Sequence, residues 1–324
     1  MATSPVQGAR GDAIPTSAPT QHGMDRRTPD LEHQNEINRQ AWNRIAPAYC
    51  AEQTRTGDDG NDMFVQLIKP LALQLAELQP SQTVLELGSG DGIICRAFAR
   101  NGAKVVGLDY AQEIIEIARA RDDAAGLGGH IDYGTVDLLD VVSLRTYAHS
   151  LRDPRERAKI TDAPYRQHFA DGFDIITVSM TVKSLPDIQP LAEVLPLLLK
   201  PNGRVIVIDL HPAFMKPAGN RLIEIFEDED GNQQRQFAMK TTKYLNVKNP
   251  VKSKAVQDQN EYIFQYHRPI WALLDPFFRA GLSMDMMREE TFRTAGDREH
   301  PQSYHNFDQI PMLLAFRLRH AAVK

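Results

Sequence analysis

Three observations predict an α/β protein with a seven-stranded, mostly parallel sheet and helices on both faces. Short apolar runs alternate with helical patterns from residue 83 onward, the mark of a parallel sheet covered by helices. A glycine-rich segment, Gly88-Ser89-Gly90-Asp91-Gly92, joins the first of those runs directly to a helix. The last two of the seven runs have no helix between them.

The elements follow in order. Residues 1–30 are rich in Pro, Gly, Ser, Thr and Ala with no apolar periodicity, and read as a disordered tail. From Leu31 to Glu52 the apolar residues Ile37, Ala41, Trp42, Ile45 and Tyr49 recur at helical spacing, and Pro47 is expected to kink or end the helix. A second helix spans Met63 to Leu78 and is closed by Pro80. Then come strand Thr83–Leu87, helix Ile93–Arg100, strand Lys104–Leu108, helix Ala111–Arg121 and strand Ile131–Tyr133. Strand Phe173–Val178, helix Ile188–Leu199 and strand Arg204–Asp209 follow. Helix Ile270–Ala280 and strands Ser283–Glu289 and Pro311–Leu318 complete the series. Residues 143–171 are charged and contain proline, and are expected to form an inserted surface segment. Residues 213–266 look β-rich: Leu222–Phe226 and Gln236–Lys240 flank an Asp-Glu-Asp-Gly turn, with Tyr262–Tyr266 a further strand. Such an insertion after the fifth strand is expected over the C-terminal edge of the sheet, where open α/β sheets bind ligands.

The resulting organisation is a tail at 1–30, N-terminal lid helices at 31–70, an α/β core at 71–212, a β-rich cap at 213–268 and the rest of the core at 269–324. Among 324 residues there are 42 acidic and 37 basic ones, a net charge of −5, so no global basic field attracts nucleic acid or an anionic membrane. Two cysteines, Cys50 and Cys95, are too few for a disulfide framework or a cysteine metal site, and Cys95 falls on an apolar helix face as an inert thiol. No apolar run is long enough to span a bilayer and the first residues lack a signal peptide's apolar stretch, so a cytoplasmic location is expected.

The glycine loop carries the functional reading. A dinucleotide fingerprint needs a third glycine five residues after Gly88, and that position is Ile93. Glu86, at the strand end, suits an ammonium neighbour and not a pyrophosphate. Asp109 ends the next strand 19 residues after Gly90, where a carboxylate can accept both hydroxyls of a ribose. It can equally cap the helix starting near Ala111.

Val84-Leu85-Glu86-Leu87-Gly88-Ser89-Gly90-Asp91-Gly92, followed by Val105-Val106-Gly107-Leu108-Asp109, resembles the first two motifs of class I S-adenosylmethionine-dependent methyltransferases, small-molecule branch. The resemblance continues through Ile131–Asp137, Phe173–Asp187 and Leu199–Asp209, and covers residues 36–318. It implies S-adenosyl-L-methionine as cofactor, with the loop Gly88, Ser89 and Gly90 beneath its methionine portion. It implies Asp109 on the ribose, Tyr110 beside the adenine, Asp137 at the adenine amino group and the Leu138 amide on the ring. Ser179 would lie near the sulfonium and the methionine ammonium. Asn38 to Tyr49 resembles the lid helix of small-molecule members, with Tyr49 over the cofactor; Trp42 and Tyr49 also suit a plain docking helix.

Methyl transfer from a sulfonium needs alignment more than acid–base chemistry, and a base only where the acceptor must lose a proton. His211, in Asp209-Leu210-His211-Pro212, and His267, in Tyr266-His267-Arg268-Pro269, are the candidate bases, each alternatively a backbone-bonding residue that positions the cap. Tyr244 and Glu289 are further pocket candidates, and His300 and His305 are expected at the surface. The enclosed arrangement favours a small-molecule methyl acceptor of the secondary-metabolite kind, oxygen or nitrogen before sulfur or carbon. A nucleic-acid partner, a membrane and a metal are not expected, and the oligomeric state is open. Two alternatives stand beside this: a protein of the same fold that binds the cofactor without transferring methyl, and a nicotinamide-dependent dehydrogenase.

Overall fold

The computed structural model describes residues 29–322 except 56, 58–59, 161–165, 257–258, 295 and 298; the expected tail thus lies almost wholly outside the described residues. Seven strands form one sheet: β1 (Thr83–Leu87), β2 (Lys104–Asp109), β3 (Ile131–Thr135), β4 (Phe173–Ser179), β5 (Leu199–Leu210), β10 (Leu282–Glu290) and β11 (Leu313–His320). Their order is β10-β11-β5-β4-β1-β2-β3, and β11 runs antiparallel to both β5 and β10. The chain reverses its direction of travel across the sheet between β1 and β4, so a crevice opens at the C-terminal ends of those two neighbours.

Strand alternation sends successive side chains to opposite faces. Leu85, Leu87, Val205, Val207, Leu314, Phe316 and Leu318 build one apolar layer. Against it lie α5 (Val141–Arg152), α7 (Gln189–Leu198) and α8 (Ile270–Arg279). Val84, Val105, Ile206, Ile208, Leu313 and Ala315 build the other, against α2 (Lys69–Ala76), α3 (Ile93–Arg100) and α4 (Gln112–Ala124). Because both faces are covered, every residue of β1 is buried, Thr83 and Glu86 included.

The sequence expectations are corrected in three places. The helix α1 (Pro29–Gln53) continues through Pro47 for six more residues, held by packing of Ala46, Cys50, Trp42 and Tyr49 against α4. The stretch expected as a surface insert, 143–171, contributes most of α5, whose Leu144, Ala148 and Leu151 are fully buried on the sheet. Asp140 caps that helix, accepting the Val142 and Ser143 amides at 3.0 Å each. The charges that suggested a loop lie on its outer face and in the short α6 (Pro154–Ile160) beyond it. Lastly, His305 is half-buried rather than fully exposed: it stacks on Phe292 at 4.0 Å between ring centres.

The β-rich segment forms two hairpins. β6 (Gly219–Glu227) pairs with β7 (Gln233–Thr241) around the acidic turn, and leans on the connection between β10 and β11 through Phe237 on Phe307. β8 (Val251–Ser253) pairs with β9 (Ile263–Gln265) and is fastened to α1, where Asn38 exchanges hydrogen bonds with the Phe264 backbone at 2.7 and 3.1 Å. No described helix is long and apolar enough to cross a membrane.

If α5 belongs to the core, Leu144→Ala should lower the urea-derived unfolding free energy by about 2–5 kcal/mol; a surface insert would change it by less than about 0.5 kcal/mol.

Candidate functional site

At the crevice between β1 and β4 lies a cleft partly open to solvent, in the position where open α/β sheets bind ligands. Glu86, the glycine loop, Asp109, Tyr110, Asp137, Leu138 and Ser179 line it, together with Trp42 and Tyr49 of α1. All ten cofactor residues expected from the sequence therefore meet in one cavity. Sequence reasoning passed over Asp91, Met180 and Thr181, which line it too.

The loop geometry explains its glycines. Gly88 has φ +77°, and a Cβ there would sit 2.2 Å from the Thr181 hydroxyl oxygen. Gly92 has φ +81°, and a Cβ there would strike the Tyr133 hydroxyl. The loop is thus packed against β4's continuation on one side and β3 on the other. Its amides are committed: Gly88 and Ser89 donate to the Leu108 carbonyl at 2.7 and 3.0 Å, and Gly90 donates to Asp109 Oδ2 at 3.0 Å. A loop that spends these three donors internally presents no amide cradle for a pyrophosphate, unlike the loops of dinucleotide folds.

Asp109 meets both readings made of it. Its Oδ1 accepts the Ala111 amide at 3.0 Å, the helix-cap role, while Oδ2 holds Gly90. A carboxylate has about four lone-pair positions, so each oxygen retains capacity for a ligand hydroxyl.

The cavity's electrostatics are one-sided. Glu86, Asp91, Asp109 and Asp137 line it, and no Lys, Arg or His does. Burial pushes Glu86 up to about 8, against the 2.8 Å hydrogen bond from Thr177. Burial likewise raises Asp91, Asp109 and Asp137 above the ordinary carboxylate range. Asp91 is paired from behind by Arg121, which also donates to the Cys50 carbonyl at 2.6 Å and so ties α1 to the loop. Asn35 of α1 donates to Asp137 at 2.8 Å. Three buried hydroxyls on the cavity wall, those of Ser89, Tyr110 and Ser179, have no protein hydrogen-bond partner among the described residues. Such groups are costly unless a ligand or water satisfies them. Met180 adds a left-handed backbone, φ +58°, at the end of β4. Such a conformation costs a non-glycine residue about 1–2 kcal/mol and clusters at functional sites.

A second cavity, about 480 Å³, opens at the end of β5 and contains both candidate bases. It and the first share no lining residue but are walled by one turn: Met180, Thr181, Ser184 and Leu185 face the first, Val182 and Lys183 the second. His211 is buried, its Nε2 2.8 Å from Glu289 and its Nδ1 accepting the Ala213 amide at 3.2 Å. Both nitrogens are engaged, with the proton on Nε2. Burial lowers its pKa, with Glu289 opposing. His267 Nε2 lies 2.6 Å from the Tyr244 carbonyl, which can only accept, so Nδ1 is the unprotonated nitrogen of the neutral ring. Burial lowers its pKa also.

Gly88→Ala should cost about 2–4 kcal/mol in denaturant unfolding, from the left-handed backbone and the overpacking of Thr181 together. In a Thr181→Ala background the loss should shrink to about 1–2 kcal/mol. An unchanged cost would show that Thr181 does not confine the loop.

Comparison with known proteins follows the same lines. A methyltransferase-domain family matches residues 60–250. The chain is 30% identical over 151 residues to the ubiquinone biosynthesis O-methyltransferase of Actinobacillus pleuropneumoniae serotype 5b (strain L20), an alignment covering 45% of this chain and 55% of that protein. The chain thus spans about half the length of the curated relatives it matches. An S-adenosylmethionine-dependent methyltransferase from Mesorhizobium loti superposes with a TM-score of 0.53 at 22% identity, over 82% of this chain and all of that one. The [4+2]-cyclase SpnF superposes with the same score at 13% identity, over 90% and 97%. The fold is therefore that of the class I S-adenosylmethionine-dependent methyltransferases, a fold on which more than one chemistry is carried.

Proposed function

The chain belongs to the methyltransferase-domain family, and from that premise we propose that it transfers a methyl group from S-adenosylmethionine to an oxygen of a small-molecule acceptor. The observation that carries the reading is the cavity at β1 and β4, where four carboxylates gather without a base. S-adenosylmethionine bears a sulfonium and an ammonium, and the acid-lined cavity is complementary to that charge. The three unpartnered hydroxyls and the committed loop amides suit a nucleoside with an amino-acid tail better than a dinucleotide. The printed name of the A. pleuropneumoniae relative, an O-methyltransferase, favours oxygen among the possible acceptors.

In this reading Asp109 accepts the ribose hydroxyls, Asp137 and the Leu138 amide receive the adenine, and Tyr110 packs beside it. Glu86 and Ser179 hold the ammonium end, with Ser89 donating its hydroxyl. Tyr49, in a T-shaped contact with Trp42 at 5.1 Å, closes the cavity and excludes water. When bound, the cofactor supplies an electrophilic methyl whose bonding electrons return to sulfur as the acceptor oxygen forms the new bond. Of the two histidines, His267 is the better base, because its Nδ1 is the unprotonated nitrogen and can take a hydroxyl proton. His211, held at both nitrogens, orients the wall of the second cavity through Glu289. A cytoplasmic location goes with this proposal; both cysteines are free and buried, the thiol state of a reducing compartment.

Calorimetry with S-adenosylmethionine tests the reading. Glu86 with a pKa near 8 is mostly protonated at neutral pH. A cation favours its ionised form, so binding releases a proton below pH 8, and affinity weakens by up to about tenfold per pH unit below it. Titrations in buffers of different ionisation enthalpy should count that proton, and Glu86→Gln should abolish it. Asp109→Asn should weaken binding by at least about tenfold. Absence of binding, or tight binding of NAD instead, would refute the assignment. Labelled methyl appearing in no product from a metabolite extract, despite cofactor binding, would favour a non-methylating catalyst.

A further inference from the structure

Resting on the methyltransferase reading, we propose that Asn35 of α1 is a specificity-determining residue: its side-chain oxygen accepts one N–H of the adenine amino group while Asp137 accepts the other. The helix that roofs the cleft then reads the base together with the loop after β3.

Asp137 lines two spaces, the cleft between β1 and β4 and an open groove beside it along α1, and no other lining residue is common to both. Asn35 lines that groove from the α1 side. The two residues therefore stand together in the partition between the spaces, joined by a 2.8 Å hydrogen bond. That bond fixes which way the Asn35 amide faces. Asp137 Oδ2 accepts, so the amide nitrogen is turned to it and the amide oxygen is left for another donor. Asn35 is only 5% exposed, and its Oδ1 is buried with no hydrogen-bond partner among the described residues. A buried carbonyl oxygen in that state is costly until a donor reaches it. Asp137 keeps capacity of its own, since Oδ1 accepts the Leu139 amide at 2.9 Å and Oδ2 accepts Asn35, one bond to each oxygen. Two acceptor oxygens side by side suit a group with two N–H donors. A primary amine on a purine has that pair of donors in the plane of the ring; a keto oxygen in its place has none. The Tyr110 hydroxyl, on the wall of the same cleft and likewise unpartnered, can donate to a ring nitrogen of the base.

The test is calorimetric titration of the full chain with S-adenosylhomocysteine and with its N6-methyl analogue. A single N–H can serve only one of two acceptors, so the methyl should weaken binding to the unsubstituted protein by about tenfold. In Asn35→Ala, S-adenosylhomocysteine itself should bind about tenfold more weakly, and the two ligands should agree to within about twofold. A residue that merely held Asp137 in place would weaken both ligands alike and leave the gap between them. Should Asn35→Ala unfold the protein, Asn35→Leu, close to asparagine in volume and without a polar atom, carries the same comparison, and the gap should again close. A tenfold gap that survives either substitution, or a methyl that costs the unsubstituted protein less than about twofold, would overturn the proposal while leaving the methyltransferase reading intact. Failure of S-adenosylhomocysteine to bind at all would overturn that reading, and this inference with it.

Discussion

Carboxylates brought together out of water repel one another and lose hydration, so a cleft that gathers four of them is held at a cost until a cation arrives. Glu86, Asp91, Asp109 and Asp137 are in that condition, each raised above its ordinary pKa by burial. The fold counters the cost locally. Thr177 bonds Glu86, Arg121 backs Asp91, two main-chain amides hold Asp109, and Asn35 with the Leu139 amide holds Asp137. These partners fix geometry without filling the cavity. With Asp91 paired to Arg121, the negative potential of the site comes from Asp109 and Asp137, and from Glu86 once it ionises, a field that favours a cationic ligand.

Everything that surrounds the cleft serves to keep it in that state. β1 and β4 are neighbours only because the sheet reverses its order there, and this sets Glu86 beside Thr177. The loop after β1 is pressed between Thr181 and Tyr133, so its path is fixed by contacts that only glycine permits. α1 is the roof. It is tied at one end by Asn35 to Asp137, in the middle by Asn38 to the β8–β9 hairpin and the Ser184 carbonyl, and at the other end by Arg121 to the Cys50 carbonyl.

Much of this was legible in the sequence. The seven strands and the hairpin around Asp228–Gly231 follow from periodicity and turn chemistry, which are local properties. Gly88, Gly90, Glu86 and Asp109 were found because strand-loop-helix spacing confines them to one end of the sheet. Asp91 was missed because a carboxylate inside a glycine loop reads as a solvated turn residue; only Arg121, thirty positions on, reveals it as buried. The α5 segment was misread because its charges outweighed the spacing of Leu144, Ala148 and Leu151. The roles of His211 and His267 could not be ranked from sequence, since the difference lies in bonds to Ala213, Glu289 and Tyr244, which the chain brings together only on folding. The helix does not end at Pro47 because tertiary packing of α1 on α4 outweighs the local penalty.

The most direct measurement is a crystal structure grown with S-adenosylmethionine at pH 8, where Glu86 is substantially ionised. The nucleoside should lie in the cleft between β1 and β4, its ribose within hydrogen-bonding distance of Asp109 and its ammonium facing Glu86. A ligand seated elsewhere, or one whose cationic groups avoid the four carboxylates, would contradict it.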